Sequence, residues 1–348
     1  MAAIRWIKRA SALAALVLPL GAWADAVTTD LFYTTFGGGT NVWKAAFAYN
    51  GSGTAAGVSY ASINIATTVG ADGIVFNPNN GHLLVGGQGP RIHDLPVSGS
   101  PITTKATPGV NVFHLAIDPS KAFVYGSGIP GGVAKVGIDA GGFTGAASTS
   151  MTISGSTSAI TSLAFDAAGT TAFYTTASPT GPGQFGSAVL AGATITTTAI
   201  GALLTAAHGM IFDTSTGWLT LFGDTDIAQI DPSTGLIVAS LTLGGVDFDQ
   251  GTSDGLGHLW VASNNGNVTF VDLNTCTLKM ISSASCFMDT RFLAANLDDL
   301  APLAGLGGCA PNCQTPEPAP VALVLPALAG LLLMGRRRRQ QAGLTIQS

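Results

Sequence analysis

Ile74-Val75-Phe76-Asn77-Pro78-Asn79-Asn80-Gly81-His82-Leu83-Leu84-Val85 reads as an apolar strand, a turn built from Asn, Pro and Gly, and a second strand rich in Leu and Val. The same sentence recurs along the chain. Leu115-Ala116-Ile117-Asp118-Pro119, Leu163-Ala164-Phe165-Asp166 and Met210-Ile211-Phe212-Asp213 each end an apolar run at a turn-forming Asp, and Gly251-Thr252-Ser253-Asp254-Gly255 is a weaker copy before His258-Leu259-Trp260-Val261. With Phe76, Ile117, Phe165, Phe212, Ser253 and Pro302 as anchors, the spacings are 41, 48, 47, 41 and 49 residues. Each unit is long enough for four short strands, and within the fourth, Ile227 to Ile230, the Asp231-Pro232-Ser233-Thr234-Gly235 turn and Leu236 to Leu243 supply a further hairpin. A period of 40 to 50 residues with four strands per unit is the pattern of propeller blades, which bury their faces against one another around a central channel.

The rest of the body agrees. Glu317 is the only glutamate in the chain, and Gly, Ala, Ser and Thr abound, so strong helix formers are scarce and strand and turn formers plentiful. Apolar stretches with a 3.6-residue period are missing, which excludes an α-solenoid. Leu31 to Thr35 and Val42 to Tyr49 look like outer strands with no inner strand before them. Asp298-Asp299-Leu300-Ala301-Pro302 looks like an inner strand with no outer strands after it. Joined in space they make one blade, so the expected fold is all-β, a β-propeller of six four-stranded blades closed by pairing of its N- and C-terminal strands. A seventh blade in the Gly/Ser/Thr-rich stretch Gly141 to Ser158 is the competing count, and a β-sandwich or β-helix the broader fallback.

The two ends are set apart from this body. Arg5, Lys8 and Arg9 precede an apolar run from Ala12 to Ala22, and Ala22-Trp23-Ala24 offers the small-x-small pattern of a signal-peptidase site. The run is about a dozen residues where a membrane-spanning helix needs about 20, so residues 1–24 read as a cleaved signal peptide rather than a retained anchor. Residues 25–303 form the propeller and 304–315 a Gly/Pro linker. At the far end stand Pro316-Glu317-Pro318, an apolar stretch from Ala319 to Met334, and Arg336-Arg337-Arg338-Arg339. A hydrophobic helix followed at once by four arginines is a stop-transfer arrangement, with the arginines and residues 341–348 left in the cytoplasm.

Those three elements in that order over residues 316–340 resemble the PEP-CTERM sorting signal. The resemblance implies processing by an exosortase-type transpeptidase after signal peptidase, transient anchoring in the inner membrane of a Gram-negative bacterium, and delivery to the cell surface or the extracellular matrix, with biofilm exopolysaccharide or other surface proteins as partners. An ordinary C-terminal anchor is the alternative.

Charge and cysteine content narrow the partners further. The formal charge of −5 includes seven basic residues in the two terminal signals; the body from Asp25 to Thr315 carries 18 aspartates against seven lysines and arginines, near −11. Such a surface repels phosphate backbones, so nucleic acid is not expected as a partner. Cys276, Cys286, Cys309 and Cys313 would meet an oxidising compartment after export. Four cysteines allow three pairings, of which Cys276–Cys286 and Cys309–Cys313 close the shortest loops; the nine residues inside the first pair fit zinc poorly.

His208-Gly209-Met210-Ile211-Phe212-Asp213 with Gly217-Trp218-Leu219, echoed by Asp72-Gly73-Ile74 and Leu259-Trp260, resembles the blade motif of the NHL and streptogramin-lyase propellers. The resemblance implies the fold. Lyase chemistry in that family pairs a metal with catalytic histidine and glutamate, and here the glutamate is missing.

Candidate chemistry follows from the repeat register. Four residues before each anchor stand Asp72, Phe113, Thr161, His208, Asp249 and Asp298, a position expected where each inner strand begins, at one mouth of the channel. Three carboxylates and a histidine converging there could hold Ca²⁺ or Mg²⁺, with His208 as ligand or base and His114, one residue off register, beside them. Solvated or turn-capping roles for the same residues are the plainer alternative. Gly251-Thr252-Ser253-Asp254-Gly255 matches the G-x-S-x-G pattern but falls on an expected strand, and Gly126-Ser127-Gly128-Ile129-Pro130-Gly131 matches G-x-G-x-x-G within a hairpin. His82 and His258 hold equivalent places after blade turns, which favours a repeated structural role, and His93 sits in a polar stretch. Two functional expectations result: a non-catalytic binding or structural protein of the envelope or exopolysaccharide matrix, favoured by the thin catalytic inventory, and a metal-dependent propeller lyase or lactonase acting around Asp72, His208, Asp249 and Asp298.

Overall fold

The computed structural model describes residues 26–37, 41–157, 159–166, 168–169, 171–176, 182–205, 207–282 and 284–302. The segments expected to be signal peptide, linker and sorting tail, with Cys309 and Cys313, lie outside the described residues.

The described chain is all-β. The first strands are β1 (Val27–Thr35), β2 (Asn41–Tyr49) and β3 (Val58–Thr67). Blade 1 follows as β4 (Ala71–Phe76), β5 (Leu83–Gly87), β6 (Arg91–Leu95) and β7 (Thr103–Ala106). Blade 2 holds β8 (His114–Ile117), β9 (Phe123–Gly128) and β10 (Gly132–Asp139), edged by the short β11 (Gly142–Phe143) and β12 (Thr149–Ser150). The chain then lays β13 (Thr152–Gly155) on the outer edge of blade 3, which is β14 (Ser162–Phe165), β15 (Ala172–Thr175), β16 (Pro182–Ala191) and β17 (Thr194–Thr205). Blade 4 is β18 (Ala207–Asp213), β19 (Trp218–Gly223), β20 (Asp226–Ile230) and β21 (Ile237–Thr242). Blade 5 is β22 (Phe248–Ser253), β23 (His258–Ser263), β24 (Asn267–Asp272) and β25 (Phe287–Phe292), and the final strand is β26 (Leu297–Pro302).

Six sheets result, and the sixth has the order β26-β1-β2-β3. The last strand is thus the inner strand of the blade whose outer strands begin the chain, with Leu31 opposite Pro302, Phe32 opposite Ala301 and Tyr33 opposite Leu300. Blades 1 to 5 are antiparallel throughout except for β13, which runs parallel to β17. The stretch from Gly141 to Ser158 supplies edge strands to blades 2 and 3 rather than a seventh blade.

The repeated turns hold because their side chains bond their own backbone. Asn77 Oδ1 accepts from the Asn79 amide, Asp213 Oδ1 from Ser215 and Asp231 Oδ1 from Ser233, the Asx arrangement that makes these residues turn formers. In each, a glycine amide four residues on donates to the backbone carbonyl of that same residue: Gly81 to Asn77, Gly217 to Asp213, Gly235 to Asp231, all at 2.8 Å. Gly81 and Gly217 sit at φ 73° and 75°, where a side chain is strained.

The core lies between blades. Six buried clusters each draw on two adjacent blades, from Leu84, Ile92, Leu115 and Val136 between blades 1 and 2 to Phe32, Val42, Ile74 and Leu83 between blades 6 and 1. At the junction of blades 5 and 6, Phe47 meets Trp260 edge-on at 5.2 Å and Phe270 at 4.9 Å. The Cys276 and Cys286 sulfurs are bonded, closing the loop between β24 and β25.

Candidate functional site

Asp72, Phe113, Thr161, His208, Asp249 and Asp298, one from each blade, line a single cavity of about 180 Å³ at one mouth of the channel, with His114 beside them. How they come to face it is visible in the strand register. Between Ala71 and Ile74, β4 has two residues against one of β5; a similar break brackets His208 in β18, Asp249 and Gln250 in β22, and Asp298 and Asp299 in β26. These are β-bulges, which turn side chains out of the regular alternation. The pairs β8–β9 and β14–β15 are unbroken, and theirs are the blades that offer Phe113 and Thr161. At the shared register position the four bulged inner strands are therefore the four that present a carboxylate or an imidazole, while His114 adds a second imidazole from the start of the unbroken β8.

Close packing around the axis requires small residues beside the bulges. A Cβ on Gly73 would lie 2.5 Å from the Phe113 carbonyl oxygen, and one on Gly209 would lie 2.7 Å from that of Asp249. Thr34, fully buried on β1, ties the closing strand to blade 1: its hydroxyl donates to the Asp72 carbonyl and accepts from the Asp299 amide at 3.2 Å.

The charges behave differently from one another. Burial alone would raise Asp249, but a 2.8 Å hydrogen bond with His208 Nδ1 and the nearby charge of His114 outweigh it and hold the carboxyl down to about 2. Asp298 is pushed well above the carboxylate range by burial and by the charges of Asp72 and Asp249. Burial also raises Asp72, opposed by a hydrogen bond with Asp298 and reinforced by Asp299 and Asp249. Asp299 rises to about 6, again through burial, with His114 opposing. Burial would lower His114, yet Asp299 and the other carboxylates raise it to about 9. The His114 Nδ1 to Asp299 Oδ2 distance is 3.8 Å, an ion-pair separation too long for a hydrogen bond. Accordingly His114 Nδ1, Asp299 Oδ1 and Asp298 Oδ2 are buried without a hydrogen-bond partner.

Asp299 is the residue that a reading of one position per strand misses. One oxygen each of Asp249, Asp298 and Asp299 lie within 4.8 Å of one another. The signal available was the pair Asp298-Asp299 itself, two acids in succession where a regular strand would turn one of them away.

Other singled-out residues lie elsewhere. His82, just before β5, contacts Asp94 Oδ1 through Nδ1 at 2.7 Å, and His258, the first residue of β23, contacts Asp254 Oδ2 through Nδ1 at 2.6 Å. His93, placed by its sequence surroundings in a polar stretch, is instead buried within β6 and bonded to Thr104 Oγ1 at 2.9 Å; β6 lies between β5 and β7 and is buried on both faces. Ser253 ends β22 with its hydroxyl on Asp213 Oδ1, and Gly126 to Gly131 spans the β9–β10 hairpin. The opposite mouth is of another kind. A cavity of about 360 Å³ there is lined by four of the apolar anchors, Phe76, Ile117, Phe165 and Phe212, together with polar groups that include Asp118, Lys121 and Gln250.

No protein-family model matches the chain, and no curated protein matches it in sequence. Among solved structures it is similar to a chain of the nidogen/laminin complex, with a TM-score of 0.57 and 14% identity over 80% of this chain and 99% of that one. A chain of the mitotic checkpoint complex superposes at a TM-score of 0.47 and 12% identity, over 80% of this chain and 87% of that one, which is too loose to carry an argument. The first likeness concerns the β-propeller fold alone.

Proposed function

We propose that this β-propeller is an exported, surface-anchored or secreted protein of a Gram-negative envelope or exopolysaccharide matrix, acting by binding rather than catalysis. The observation that carries the non-catalytic part is size. The cavity that gathers the titratable groups is about 180 Å³, below the roughly 300–1,000 Å³ of sites that engulf an organic substrate. Among the described residues, three cavities reach that range: one of about 360 Å³ at the other mouth, whose Asp118 is engaged by the Phe123 amide in the β8–β9 turn, and two of about 440 and 470 Å³, against Trp43 and Leu293 and against Phe123 and Lys135, whose linings include no carboxylate or imidazole. Export and sorting rest on the terminal segments: signal peptidase acting after Ala24, and an exosortase-type transpeptidase acting on Pro316-Glu317-Pro318 ahead of Arg336 to Arg339. The surface partner is an exopolysaccharide or another surface protein, and the acidic body argues against nucleic acid.

The test is to express the full chain in a Gram-negative host that carries an exosortase, find the mature protein, and sequence its N-terminus. A start at Asp25, presence in the surface or matrix fraction, and co-sedimentation with the isolated exopolysaccharide are expected. Cytosolic protein that keeps Met1 would overturn the export reading, and failure to co-sediment with polymer or to capture any surface protein would overturn the binding role.

The convergence of Asp72, His208, Asp249 and Asp298 at one mouth favours a second reading, a metal-dependent lyase or lactonase. There the donor set would take a hard cation and His208 would move a proton. Chelator-sensitive turnover that His208→Gln abolishes would support it.

A further inference from the structure

We infer that the acidic mouth holds one hard divalent cation, Ca²⁺, between Asp249, Asp298 and Asp299, and that this ion fastens the strand that closes the ring. The inference goes beyond the binding role proposed above and does not depend on it.

The ligand geometry comes first. Asp298 and Asp299 are successive residues of β26 at the bulge opposite Thr34, Asp298 lining the cavity and Asp299 buried beside it, and Asp249 comes from the bulge of β22. Ligands on opposite sides of a Ca²⁺ ion at about 2.4 Å are about 4.8 Å apart, and oxygens of the three carboxylates lie within 4.8 Å of one another. Three carboxylates that can each bind through one or two oxygens, completed by water, supply the six to eight oxygen ligands Ca²⁺ takes.

The second observation is independent of the acidic cluster. His114, outside that cluster, lines the cavity with its Nδ1 buried and without a hydrogen-bond partner; within the cluster, Asp298 Oδ2 and Asp299 Oδ1 are likewise unsatisfied. Native proteins satisfy nearly all such groups, because a buried polar atom left alone costs about 1–3 kcal/mol and more when charged. A cation with its water shell satisfies these carboxylate oxygens directly and His114 through water. The cavity of about 180 Å³ suits a hydrated ion, since a water molecule occupies about 30 Å³.

The surrounding residues match outer-shell roles. His208 bonds Asp249 Oδ1 at 2.8 Å and fixes that carboxylate, leaving its other oxygen to the ion. An all-oxygen set of carboxylates selects Ca²⁺, Mg²⁺ or Mn²⁺ over softer metals. Because β26 stands between β22 and the inner strand of blade 1, an ion held by Asp249, Asp298 and Asp299 spans the junction of blade 5 with the blade that joins the chain's two ends.

The experiment uses the full chain purified in mild detergent, stripped with EDTA, and titrated calorimetrically with Ca²⁺, Mg²⁺ and Mn²⁺. One Ca²⁺ per chain is expected, with Tm raised by roughly 5 °C at saturation. Asp298→Asn and Asp299→Asn should each weaken Ca²⁺ at least tenfold, and His208→Gln should weaken it by about tenfold. No ion bound by the stripped wild type, or binding unchanged in both Asn variants, would overturn the inference. If neither Asn variant folds, hydrogen exchange in the wild type decides: slower exchange of the β26 amides in Ca²⁺ than in EDTA supports the clasp, and equal rates refute it.

Discussion

Five buried side chains around the axis answer to pH in a way that can be worked out from their shifts. Asp299, raised to about 6 from the ordinary 3.8, binds its proton more tightly in the folded chain, so it contributes stability that is lost as pH rises from about 4 to 6. Asp72 and Asp298 are raised as well and act in the same direction. His114, raised to about 9 from 6.5, contributes stability that is full below 6.5 and lost as pH rises through 9, on the order of 3 kcal/mol. Asp249, depressed to about 2, acts the opposite way, but only as pH falls from about 4 toward 2. Between pH 5 and 9 the shifted members of the cluster therefore agree, and the Tm of the EDTA-stripped protein should fall by several degrees across that interval. Thermal melts at pH 5, 7 and 9 check it. A flat or rising profile would contradict the assignment, and His114→Gln should remove most of the fall between pH 7 and 9.

At the level of the strand, the repeat was legible where its causes are local and illegible where they are not. An Asx turn is written in the residues that make it: Asn77, Asp213 and Asp231 bond amides two positions on, so hairpins could be placed from sequence. The register position of Asp72, His208, Asp249 and Asp298 followed from the same spacing. The bulges did not, because an extra residue on β4, β18, β22 or β26 is defined only against the partner strand; hence Asp299 went unread. Thr34 and Gly209 hold these bulges in place, and each can be tested. Thr34→Val removes the hydroxyl shared by the Asp72 carbonyl and the Asp299 amide, and should cost about 1–3 kcal/mol in urea unfolding. Gly209→Ala places a Cβ 2.7 Å from the Asp249 carbonyl oxygen, and should cost about 1–3 kcal/mol. If β18 and β22 can part without penalty, the alanine variant will unfold at the wild-type midpoint.

Over the whole molecule, closure of the ring decides how stability is shared. Six clusters join six blades, so every blade has two neighbours, and the junctions on either side of the closing blade are built like the others: Phe32 and Phe76 edge-on at 5.4 Å on one side, Phe47 and Trp260 on the other. The unmatched strands at the two ends of the body made this closure readable. The six-blade count was readable too, because a hidden seventh needed four strands from a stretch that supplies only β11, β12 and β13 as edges. A ring of this kind has no free end from which blades can peel away, whereas an open array of repeats loses cooperativity from its termini. Leu300, buried on β26 against blade 5, lets the difference be measured. Leu300→Ala should cost about 2–5 kcal/mol, and in a closed ring that loss is felt by the entire body, so calorimetric and van't Hoff enthalpies should stay equal while Tm drops. A separate early transition for the closing blade would show instead that the ring opens before it unfolds. Since Leu300 follows Asp298 and Asp299 on the same strand, the cost of Leu300→Ala should also differ between Ca²⁺ and EDTA. A coupling above about 0.5 kcal/mol would mark strand closure and ion binding as one event.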